Sequence, residues 1–75
     1  MSAKRITVET ISSGALLRCG DTALHAWFGS KSLRWHIEPS EALLAASGLP
    51  RPEPVSSLRQ VKDWFRQALR RGGLA

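Results

Sequence analysis

The sequence predicts an α+β fold: a four- or five-stranded antiparallel sheet with one C-terminal helix packed on one face, in the order β-β-β-β-(β)-α. Three observations predict it. Short segments between residues 4 and 38 alternate apolar and polar side chains and favour β-branched and aromatic types. Breaks at SSG (12–14), GD (20–21) and GSKS (29–32) separate them at hairpin spacing. One clearly amphipathic segment, SSLRQVKDWFRQALRR, comes last. With 75 residues, 43% hydrophobic, the chain reads as a single domain near the lower size limit for folding by burial alone. Within it we expect a sheet over 4–47, a Pro-rich connection over 48–56, a helix over 57–71 and a flexible tail over 72–75.

The first strand, KRITVETI (4–11), places Ile6 and Val8 on one side and Thr7, Glu9 and Ile11 on the other. ALLRC (15–19) and TALHAWF (22–28) follow as the second and third strands, and LRWHIE (33–38) is the fourth, closed by Pro39. The stretch PSEALLAASG admits two readings: a helical turn capped by Ser40 and ending at Gly48, or an edge strand over Ala42–Ala46. The strand is favoured, because Pro-Ser-Glu reads as a turn directly after a strand. LPRPEP is a stiff, extended connection. Ser57 and Gln60 match a capping box; Leu58, Val61, Phe65, Ala68 and Leu69 share one helical face with Trp64 at its border. Arg70 and Arg71 suit the negative end of the helix dipole, and Gly72-Gly73 end the helix.

Register sorts the side chains between two faces. A tip at Ser30-Lys31 sets Phe28 against Leu33, Ala26 against Trp35 and Leu24 against Ile37, all apolar pairs. The opposite face then pairs Trp27 with Arg34 and His25 with His36. A Gly20-Asp21 turn sets Leu17 against Leu24 and Leu16 against His25. A Ser13-Gly14 turn sets Val8 against Cys19, Thr10 against Leu17, Glu9 against Arg18 and Ile11 against Leu16. The inner face, under the helix, is expected to hold Ile6, Val8, Leu17, Cys19, Leu24, Ala26, Phe28, Leu33, Trp35 and Ile37. The outer face holds a row of Ile11, Leu16, His25 and His36, with Trp27 and Arg34 beside it. An outward tryptophan among these neighbours is a candidate protein-binding surface; the plainer reading is an indole stacked on Arg34 that shields the sheet.

The formal net charge of +5 favours an anionic partner. Arg59, Lys62, Arg66 and Arg70 lie within roughly 80° on a helical wheel, opposite the apolar stripe, and with Arg18 form a candidate nucleic-acid surface. The plainer reading is the solvated face of an amphipathic helix, diluted by Asp63 and Gln67. One cysteine, Cys19, leaves no internal disulfide and no zinc–cysteine cluster, and the two histidines lack the further ligands a zinc site needs. No metal or cofactor is expected. The six acids form no convincing pair, and no nucleophile–base–orienter set emerges, so no enzyme activity is expected. No signal segment or membrane span is visible, which points to a cytoplasmic protein.

The layout of short strands followed by SSLRQVKDWFRQAL resembles the arm-type DNA-binding domains of phage integrases, in which a three-stranded sheet precedes a helix opened by Ser or Thr and holding a Trp. That resemblance implies a sheet inserted in the major groove, with Trp27, Arg34, His25 and Arg18 near DNA. The chain departs from it in Ile11, Leu16 and Glu9, where a DNA reader tends to be basic, and in its Pro-rich spacer. The layout is also similar to compact strand-then-helix anti-CRISPR proteins of phages, which act by occupying a surface of a larger complex. The expectation is a non-enzymatic binding protein that meets a protein complex of a host system through the outer sheet face. Nucleic-acid binding is the alternative, and a homodimer through the outer face a further option.

Overall fold

The computed structural model describes residues 5–12 and 14–74. Four strands, β1 (Thr7–Ile11), β2 (Gly14–Cys19), β3 (Thr22–Gly29) and β4 (Arg34–Glu38), form an antiparallel meander in the order β1-β2-β3-β4. Two helices follow, α1 (Glu41–Ser47) and α2 (Leu58–Arg71), and correct the expectation of a single helix. Lys4, expected at the head of the first strand, and Ser13 of the first turn lie outside the described residues.

The segment read as an edge strand over 42–46 is α1. Its side chains explain why: Glu41–Ser47 contains no β-branched residue, and Ala and Leu are among the best helix formers. The Ser40 hydroxyl accepts from the Leu43 N–H, and Gly48 ends the helix in the left-handed region at φ 68°. Leu43 and Ser47 are buried, on the side where α1 meets α2. The sheet edge that a fifth strand would have occupied is met instead by one residue of the Pro-rich segment. Val55 exchanges two backbone hydrogen bonds with Trp35, at 2.7 and 2.9 Å.

Helix α2 opens with the capping box read from Ser57 and Gln60. Val61, Phe65, Ala68 and Leu69 are buried, and Leu58 and Trp64 pack beside them. Gly73 is left-handed (φ 67°), its N–H reaches the Arg70 carbonyl, and the Leu74 N–H reaches that of Leu69 at 2.8 Å. This is a Schellman motif, and Leu74 completes it by packing against the core. Ala75 lies outside the described residues.

Two of the three hairpin registers differ from expectation, each by two residues. β1 pairs Val8 with Leu17, Glu9 with Leu16, Thr10 with Ala15 and Ile11 with Gly14. β3 and β4 pair Phe28 with Trp35, Trp27 with His36, Ala26 with Ile37 and His25 with Glu38. The cause in the second case is the turn. Residues 30–33 form a four-residue link closed by the Leu33 N–H to the Gly29 carbonyl, with Leu33 left-handed at φ 57°. The β2–β3 register, with Leu17 opposite Leu24 and Leu16 opposite His25, is as the Gly20-Asp21 turn implies. Because side chains alternate with a period of two, a slip of two leaves every residue on its face. The faces survive; the neighbours change.

The core joins Ala15, Leu17, Cys19, Leu24, Ala26 and Ile37 of the sheet to Leu43 of α1 and Val61, Phe65, Ala68 and Leu69 of α2. Ile6 and Trp35 pack against it and are partly buried. Three residues expected inside are not. Leu33 sits in the turn and is 67% exposed, Phe28 is 46% exposed and Val8 38%. None of the buried sheet residues belongs to β1, so burial under the helices stops one strand short of that edge.

Candidate binding surface

The outer sheet face, away from the helices, is organised around Trp27. Its indole stacks on the His36 imidazole with centroids 4.0 Å apart and planes 8° from parallel. The indole N–H donates to Glu38 Oε1 at 2.6 Å, and His36 Nε2 shares a 2.9 Å hydrogen bond with Ser32 Oγ. Strand geometry explains the set: Trp27 and His36 are direct cross-strand partners, Glu38 is two residues further along the same face, and the four-residue turn brings Ser32 back over β3. Both hydrogen bonds of this cluster therefore engage residues that the sequence does not single out, Ser32 and Glu38.

Two glycines make room for it. Gly14 lies beside Trp27 on β2 at φ 146°; an added Cβ would collide with the Ala26 carbonyl oxygen and come within 2.6 Å of Trp27 Cα. Gly29 lies beneath the Ser32–His36 pair, and a Cβ there would press on Ser32 Oγ and stand 2.9 Å from His36 Nε2. Both positions admit only glycine without a shift of the cluster.

The remaining outer-face candidates fall into rows set by the register. Ile11, Gly14, Trp27 and His36 form one row; Glu9, Leu16, His25 and Glu38 form the next. The expected row of Ile11, Leu16, His25 and His36 is thus divided between two, and His25 and His36 are diagonal neighbours rather than opposed. Arg34 stands opposite Gly29 and not opposite Trp27, so the ring against the indole is an imidazole instead of the expected guanidinium. Ile11, Leu16, His25, Trp27 and His36 are half-buried, whereas Arg18 and Arg34 are exposed. Within the strands the two arginines are balanced by Glu9 and Glu38 on the same face, and Arg5, just before β1, adds one positive charge at its edge.

The opposite side of the molecule is different in kind. Helix α2 carries Arg59, Lys62, Arg66, Arg70 and Arg71 against Asp63 alone, so it holds +4 of the chain's +5. Arg59, Arg66 and Arg70 are exposed and Lys62 half-buried. Arg66 is bridged to Asp63 at 3.1 Å, and Arg71 Nε donates to the Ser47 carbonyl, tying α2 to α1. A third feature went unread in the sequence: a shallow, mainly apolar groove between Trp64 and the segment Leu49–Val55.

Among the described residues no group of three or more His, Cys, Asp or Glu side chains is placed to hold a metal ion, and no helix is long and apolar enough to cross a membrane. Cys19 is a buried free thiol. No family model, curated protein or solved structure matches the chain.

Proposed function

We propose that this chain is a small binding protein that acts without catalysis, by setting its outer sheet face against a surface of a protein partner. The observation that carries the reading is the fixed Trp27, stacked on His36 and bonded to Glu38 on a face whose strand charges cancel. A tryptophan already held in one orientation loses little side-chain freedom on binding, and aromatic anchors of this kind dominate binding energy at protein interfaces. A face so nearly neutral has little to offer a phosphate backbone. In its concrete form the partner is a protein complex of a host system, and the chain an inhibitor of phage or mobile-element origin; the strand-then-helix layout is what supports that form.

The test is a pull-down from host lysate with three chains: the unaltered one, Trp27→Ala, and Arg66→Ala with Arg70→Ala. The reading expects a protein retained by the first and third, lost with Trp27→Ala, and held as salt rises. Loss with the arginine pair and retention with Trp27→Ala would overturn it.

A second reading, nucleic-acid binding along α2, is favoured by the concentration of charge on that helix. It makes a distinct demand. Affinity for duplex DNA would fall steeply with salt, with a log–log slope of about −0.9 per phosphate neutralised.

A further inference from the structure

The two edges of the sheet are finished differently. At the β4 edge, both backbone groups of Trp35 are satisfied by Val55. At the β1 edge, nothing among the described residues pairs with the far side of the strand, and Thr7 through Thr10 are all exposed. We propose that the β1 edge is a dimer interface, filled by β1 of a second copy of this chain running antiparallel about a two-fold axis at Thr7. The proposal is independent of what the Trp27 face binds.

The backbone phase permits it. Trp35 turns its N–H and C=O away from β3 to Val55, and carrying that alternation across the paired strands turns the N–H and C=O groups of Thr7 and Glu9 toward β2. Those of Val8 and Thr10 therefore point outward, and those of Ile6 would follow once a second copy extended the strand past Thr7. Pairing about Thr7 sets Ile6 against Val8 of the second copy, each supplying the outward backbone groups the other needs. Both side chains lie on the inner face, where Val8 is 38% exposed although apolar.

Charge selects this register. It places Arg5 opposite the second copy's Glu9, and Glu9 opposite its Arg5, at positions where facing side chains approach most closely. Centring the axis on Val8 would put Arg5 against Ile11, and centring it on Glu9 would oppose two carboxylates. Only the Thr7 register is self-complementary. The rival role for these charges is to keep the edge unpaired, as charged residues on sheet edges often do.

Sedimentation velocity over a wide concentration range, with paired charge reversals, separates the two. The proposal expects a reversible dimer, weakened about 10-fold by Arg5→Glu and by Glu9→Arg, and restored to within about 3-fold when both are combined. Both residues concerned are exposed, so circular dichroism is expected to show the same fold throughout. Register is read separately: Thr7→Cys is expected to form an intermolecular disulfide under mild oxidation at least about 10-fold faster than Val8→Cys, because close, non-hydrogen-bonded pairs suit the bridge. A chain that stays monomeric at every concentration, a dimer indifferent to the reversals, or equal cross-linking at 7 and 8 would each overturn the proposal.

Discussion

The outer sheet face and the solvent side of α2 are both exposed, yet they are built on opposite principles. On the sheet, one indole is fixed by a ring and a carboxylate, that ring is itself held by a hydroxyl, and the charges nearly cancel. On α2, long cationic side chains project from a helix whose other side is committed to the core, and nearly all the net charge collects there. The contrast teaches that the chain's basic character and its one ordered aromatic surface are separate properties. A basic isoelectric point says something about the helix and nothing about the sheet face.

The sharpest way to break the comparison is at its centre. Trp27→Ala removes the anchor and is expected to cost at least about 2 kcal/mol of partner affinity, roughly 30-fold, measured by titration calorimetry. Gly14→Val comes next and acts on the fold. It forces a β-branched residue into φ 146° against Trp27 Cα, and thermal unfolding is expected to show a loss of about 2 kcal/mol or more. Gly29→Ala is milder, because Ser32 and His36 can swing away; a loss of about 1 kcal/mol should accompany a change in the near-ultraviolet circular dichroism of Trp27. Asp63→Asn is the smallest. The Arg66–Asp63 bridge is solvent-exposed, so stability is expected to change by no more than about 0.5 kcal/mol, which would confirm that this ion pair is incidental to the fold.

Much of this arrangement is legible in the residues themselves. Alternation places Trp27 outside and Leu17, Leu24 and Ile37 inside, and that sorting is insensitive to a two-residue error in register. The errors have physical sources. Ser30-Lys31 reads as a two-residue tip, but the turn needs four residues because Leu33 adopts the left-handed region, where leucine is seldom found. A signal was present: only the longer turn sets Trp27 against a ring, His36, and Phe28 against Trp35, and the second pair meets edge to face at 5.6 Å. The Ser40 cap, the alanines and Gly48 spell out α1, against which stands only the turn-like Pro-Ser-Glu directly after β4. The bridge from Val55 to Trp35 had no local signal at all, because it depends on where the proline segment returns in space.

The claim that the outer sheet face does the binding can be tested most directly by oxidative footprinting of the chain in a complex purified through a tag, comparing Trp27 with Trp64. Trp64 serves as the internal reference, since it belongs to α2 and lines the groove on the helical side. The account predicts that Trp27 and His36 become protected while Trp64 and the exposed positions of α2 keep the reactivity of the free chain. Unchanged oxidation at Trp27 together with protection along Arg59–Arg70 would contradict it.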